Sequence, residues 1–228
     1  MILSCHQPQY LPWLGYFDKI QKSDIFVFLD NVQYKKREYQ NRNQIKTKDG
    51  PQWLTVPVQT KHKYEQLLCD VKIDNSLDWR RSNWHALEVN YGRAGHFDEH
   101  RAFFENLYAK DWDGLAALNK SVIQYVIKYL GIGTPVDSDS RLSAEFRSTD
   151  RIIEICRSFN ADTYLSGAGG RAYLEEEKFS GNNITLVYQD FKHPEYGQLF
   201  GDFIPYMSVI DLLFNHGKDS INILKKKE

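Results

Sequence analysis

The sequence predicts an α/β protein built on a parallel sheet. Three observations carry that expectation. Ile2-Leu3-Ser4 is a short buried-strand pattern that runs into Cys5-His6-Gln7-Pro8. Ile25-Phe26-Val27-Phe28-Leu29 is an unbroken apolar run between Asp24 and Asp30, as a strand covered on both faces requires. Between them, Tyr16–Gln21 starts a helix after a turn at Pro12 and Gly15. Strand, helix, strand in some thirty residues is a parallel unit with a compact crossover, so the fold class is α/β with a parallel, Rossmann-like sheet and a helical insertion.

The later elements follow in order. Asp49-Gly50-Pro51 is a turn signal across which Gln44–Thr47 can pair with Trp53–Val58. Val71-Lys72-Ile73 reads as one more short strand. From Trp79 to Leu130 the period becomes helical, with Phe103, Phe104, Leu107 and Tyr108 on one face. Leu115, Leu118, Val122, Val126 and Leu130 keep that spacing until Gly131 and Gly133 stop it. We expect one domain over residues 1–228, with a mainly helical insertion at 79–135. Ser148-Thr149-Asp150 can cap a helix whose apolar face is Ile152, Ile153, Cys156 and Phe159. Thr163–Leu165 and Ile184–Tyr188 are further strands, and Phe203–Gly217 reads as a helix capped by Ser208. No internal repeat, low-complexity segment or long linker is visible.

Composition narrows the class. The chain has 228 residues, 42% hydrophobic and 26% charged, as expected of a soluble globular domain. Lys and Arg number 29 and Asp and Glu 30, a net charge of -1 that gives no global field toward nucleic acid. No apolar run reaches the length of a membrane span. Three scattered cysteines, Cys5, Cys69 and Cys156, form no C-x-x-C pair, so the sequence points to a reducing cytoplasm. No metal or other cofactor is expected; His96 and His100 are four apart but have no third ligand near in sequence.

Ligands of open α/β sheets bind outside the carboxyl ends of the strands, where His6 and Gln7 fall. His6 there can exchange a proton, or simply bond the turn. Asp30 ends the second strand on the same edge and can steer that imidazole. Tyr10, Tyr16 and Tyr39 supply rings for stacking on a base or sugar. Lys35, Arg42 and Lys46 belong to the densest basic stretch, able to hold a diphosphate or to form a solvated hairpin. Ser166, Gly167, Gly169 and Gly170 form a loop whose backbone N–H groups can approach an anion, with Tyr173 just beyond. The loop matches no named nucleotide motif. Cys5 could be a nucleophile for a thioester step, although its place beside a strand suggests burial. Asp211, inside an apolar helix, needs a partner or a pocket.

"HQPQYLPWLGYFDKI", "FVFLDNVQYKKREYQNRNQIKTKDGPQWLTVPV", "YLSGAGGRAYL" and "FIPYMSVIDLLFNHG" together resemble the WbqC-like proteins. The resemblance implies a bacterial, cytoplasmic role in the biosynthesis of O-antigen lipopolysaccharide or a related surface polysaccharide. It further implies aminoacyl transfer, for example of glycine, to an amino sugar on a nucleotide carrier. His6, Gln7, Pro8, Tyr10, Gly15, Asp30, Arg42, Gly167, Tyr173 and Asp211 fall on the motif positions, whereas Cys5 does not. The opening unit is also loosely similar to adenylyl-transferring α/β enzymes, but their H-x-G-H block is absent from "LPWLGYF". The expected partners are thus a nucleotide-linked amino sugar, dTDP-linked in one form, and an aminoacyl carrier protein, with a homodimer allowed. An ATP-dependent nucleotidyl transferase or ligase, and a non-catalytic nucleotide-sugar binder, are the alternatives.

Overall fold

The computed structural model describes residues 1–61, 63, 65–139 and 147–226. Its main sheet has five parallel strands: β1 (Ile2–His6), β2 (Ile25–Phe28), β5 (Val136–Ser138), β6 (Thr163–Ser166) and β7 (Thr185–Tyr188). Their spatial order is β5-β2-β1-β6-β7. The first strand of the chain is therefore the middle of the sheet, in register with β2 (Cys5 opposite Val27) and with β6 (Leu3 opposite Tyr164). The fold class expected from the sequence is the one observed.

Alternation along β2 explains the double covering. Phe26 and Phe28 point into the larger core, beside Leu14, Phe17 and Ile20 of α1 (Leu14–Gln21). Val27, with Leu3 and Cys5 of β1, points into the smaller core, against Ile152, Ile155 and Cys156 of α5 (Ser148–Ser158) and Phe179 of α6 (Glu176–Ser180). Fully burying a phenylalanine or a valine contributes roughly 1.5–3 kcal/mol, so a strand apolar on both faces is held from both sides.

Between β2 and β5 the chain leaves the sheet. It forms a hairpin of β3 (Arg42–Thr47) and β4 (Gly50–Thr55), then α2 (Trp79–Tyr91), α3 (Phe97–Ala109) and α4 (Leu115–Leu130). These helices share the larger core with α1 and with α7 (Val209–His216). A last short helix is α8 (Ser220–Lys225). Gly131 ends α4 in the left-handed conformation at φ 67°, as the helix stop in the sequence suggested. Ser208 caps α7 by accepting from the Ile210 N–H.

Four local expectations are corrected. The hairpin turn is Lys48-Asp49, closed by the Thr47 hydroxyl on the Gly50 carbonyl, so Pro51 lies within β4 opposite Lys46. Val71–Ile73 makes only isolated bridges, to Val58 and Gly114. Ser148 begins α5 without a side-chain cap, the capping position being Arg147. Residues 189–207 form no helix or strand, so the helix expected over Phe203–Gly217 begins only at Val209, after its cap Ser208. Side chains hold that segment instead: Gln198 exchanges hydrogen bonds with Ile204, and Trp13 packs on Phe191 and Tyr206.

Candidate functional site

β1 and β6 are neighbours, yet the chain runs from β1 toward β2 and from β6 toward β7, on opposite sides. Such a switch point leaves a crevice at the carboxyl ends of the two strands. A cavity of about 520 Å³ lies there. Cys5, His6 and Gln7 reach it from β1, and Ser166, Gly167, Gly169, Gly170 and Tyr173 from β6 and its exit. The opening motif and the glycine loop thus share one cavity. The loop after β2 adds Lys35, α1 adds Lys19, and the first turns of α5 add Ser148 and Arg151. Among the described residues, three cations and no carboxylate line this space, in a chain whose net charge is -1.

His6 sits in a defined tautomer. Its Nδ1 lies 3.1 Å from the Gln7 carbonyl, which can only accept, so Nδ1 carries the proton and Nε2 the lone pair. The edge of Tyr16 packs at 5.0 Å from the ring, and the Tyr16 hydroxyl donates to the same carbonyl. Burial, then the nearby Lys19 charge, pushes the imidazole down to about 3, so it is neutral at physiological pH. The Gln7 amide oxygen accepts from Gln40 at 2.6 Å, and Gln40 accepts from the Lys35 N–H. Asn119 of α4 donates to the Pro8 and Gln40 carbonyls, fixing both segments.

The glycine loop is a tight turn, closed by Gly170 N–H on the Gly167 carbonyl at 2.9 Å. A Cβ on Gly170 would lie 2.1 Å from Ser166 Oγ and 2.9 Å from Leu174 Cδ1, so a side chain there would push both of them aside. Ser166 Oγ donates to the Gly167 carbonyl. Arg151 directs two N–H groups at one Asp139 oxygen, at 2.9 and 2.7 Å, and the other oxygen accepts the backbone N–H groups of Asp30 and Asn31. Burial pushes the Cys5 thiol up to about 11, and its sulfur lies 3.2 Å from the Tyr164 hydroxyl. A protonated thiol is a poor nucleophile.

Other sequence candidates lie elsewhere. Asp30 does not steer His6: its carboxylate pairs with Lys120, which also bonds Ser138. Tyr10 is fully buried, its hydroxyl bonded to Tyr108 and Asn83, because it anchors α2 and α3. Arg42 stacks at 4.3 Å over Trp53 and donates to the Arg37 carbonyl, with half-exposed Tyr39 alongside. Lys46 is buried, its ammonium on the Gly201 and Asp202 carbonyls. Asp211 accepts from the Tyr91 hydroxyl at 2.7 Å, and that hydroxyl accepts the Lys46 N–H, tying α7, α2 and β3. Burial raises the Asp211 carboxyl above its usual range.

Lys19 and Arg151 were missed. In the sequence Lys19 follows Asp18 and looks solvated; only its place on a helix buried from Leu14 to Ile20 marks it. Among the described residues, no group of three or more His, Cys, Asp and Glu side chains is placed to hold a metal ion. No helix among them is long and apolar enough to cross a membrane.

These features define an α/β protein with a cationic cavity at the switch point of a parallel sheet. The chain belongs to the WbqC-like protein family, whose model matches residues 7–223. It is 37% identical, over 96% of its own length and 95% of the relative's, to the uncharacterized protein Rv1507c of Mycobacterium tuberculosis (strain ATCC 25618 / H37Rv). No solved structure matches it significantly.

Proposed function

We propose that the protein transfers an acyl or aminoacyl group to a nucleotide-linked amino sugar, in the cytoplasmic assembly of a surface polysaccharide. One observation carries the reading: a neutral imidazole shares a cavity with Lys19, Lys35 and the Asp139-paired Arg151, and no carboxylate lines it among the described residues. Such a cavity suits a diphosphate-bearing ligand with an amine to deprotonate. The pathway rests on family membership alone.

In this scheme the diphosphate lies against the cations and the glycine loop. The sugar amine attacks the carbonyl carbon of an acyl thioester on a carrier protein. The C–N bond forms, His6 Nε2 takes the amine proton, and the C–S bond breaks as that proton passes to the leaving thiolate. Of the loop N–H groups, Gly170's is already bonded to the Gly167 carbonyl, and those of Ala168 and Gly169 would stabilise the oxyanion formed in between. Because the Lys19 charge helps depress His6, a bound anion that neutralises it raises the imidazole toward a range useful for base catalysis.

Thermal denaturation with a dTDP-linked 4-amino sugar, or with ATP and Mg²⁺, tests this. At about 100 times its Kd a ligand adds roughly 2.7 kcal/mol. We expect stabilisation by the nucleotide sugar, kept in His6→Gln, together with aminoacyl turnover that His6→Gln loses. Stabilisation by ATP alone would overturn the scheme in favour of ATP-driven chemistry. Binding without turnover for any acyl donor would leave a nucleotide-sugar binder.

A further inference from the structure

Lys19 is 2% exposed and lies on the floor of the cavity. Its ammonium donates to the Cys5 carbonyl at 3.0 Å. It has three N–H donors, and no carboxylate pairs with it among the described residues. On its other side stands the glycine loop: a Cβ on Gly167 would be 3.8 Å from Nζ. A buried cation without a counter-ion is costly. Here that cost falls where a ligand can enter, beside backbone that no Cβ shields.

We propose that Lys19 Nζ, with the backbone of the Gly167–Gly170 turn, is an oxyanion site that receives a phosphate oxygen of the ligand, whose charge completes the missing ion pair. Naming the ligand as a diphosphate rests on the transferase reading; the anion site itself does not. The surroundings agree. Cys5 and His6 face Lys19 from β1, Tyr164 from β6, and Arg151 and Lys35 from the cavity walls, none of them an anion at neutral pH. Burial lowers the Lys19 amine to about 8, as expected of a cation lacking its partner.

The probe is inorganic pyrophosphate. Its affinity for the wild-type chain and for Lys19→Met is measured by titration calorimetry at low salt. Loss of a charge-assisted hydrogen bond should weaken binding roughly 10- to 100-fold. In parallel, a pulse of acetic anhydride labels wild-type Lys19 across a pH series, read by mass spectrometry. Pyrophosphate should protect Lys19 and move its half-labelling point upward. Equal affinity in folded Lys19→Met, or no protection of wild-type Lys19, overturns the proposal. Pyrophosphate binding that depends on Lys19 while the nucleotide sugar fails to bind keeps the anion site and removes the transferase reading. Nucleotide-sugar binding that is equal in Lys19→Met does the reverse.

Discussion

Two buried lysines, in two regions of the molecule, differ only in what surrounds the ammonium. Lys46 is 1% exposed and Lys19 is 2% exposed. Lys46 meets the Gly201 and Asp202 carbonyls and fastens residues 189–207 to the hairpin. Lys19 meets one carbonyl and then open space beside a glycine loop. Burial alone says nothing about function. The difference between a latch and a receptor is whether the donors are already engaged.

The sharpest way to break that contrast is to remove each ammonium in turn. Lys46→Met leaves two carbonyls of the 201–202 turn without their donor. Chemical denaturation should show a loss of about 3 kcal/mol, with pyrophosphate affinity unchanged in the folded fraction. Lys19→Met should stay within about 1 kcal/mol of wild type, or exceed it, because an unpaired buried charge is gone. Equal destabilisation of both variants would make Lys19 a second latch.

Titration separates the regions next. The folded Lys19 amine lies at about 8, below its unfolded value, so the unfolded chain binds more protons between about pH 8 and 10.5. The Lys19 contribution to stability therefore rises with pH through that window, by roughly 3 kcal/mol. Cys5, pushed up to about 11, contributes with the opposite sign above pH 9. The wild-type curve minus the Lys19→Met curve reports the lysine together with its coupling to Cys5. His6, held near 3, is also lowered. Its contribution is present above about pH 6.5 and is lost as pH falls toward 3, a loss that denaturation of His6→Gln should lack.

Gly170→Ala should cost about 1–3 kcal/mol by overpacking against Ser166 and Leu174, and should also weaken pyrophosphate binding. The smallest effect belongs to Arg42→Ala. Its guanidinium lies over Trp53 and outside the cavity, so pyrophosphate affinity should change less than about threefold. A tenfold loss would extend the anion site to the hairpin.

Much of this architecture could be read from residue order. The apolar run at 25–29 and the strand at 163–165 announce a doubly covered sheet, because only full burial tolerates such runs. His6 and the glycine loop were legible because strand ends are where such residues can meet a ligand. Their shared cavity was not, since it depends on β6 lying next to β1 rather than beyond β2. The three-residue strand Val136–Ser138 carries too little pattern to be seen. Lys46 and Arg42 looked like partners for phosphate because sequence records charge, not whether a carbonyl or a tryptophan ring already occupies it.

The position of the central strand also bears on synthesis. β1 pairs with residues about 160 positions later in the chain. At about 5–20 residues per second, its strand end leaves the ribosome roughly 8–32 seconds before the partner that closes the crevice. Until then the β1 edge that β6 will cover stays unpaired, a template for mispairing. A nascent chain therefore has half a receptor. Recognition of any ligand at the crevice is a property of the finished polypeptide, and refolding should regain it together with β1–β6 pairing rather than with the earlier helices.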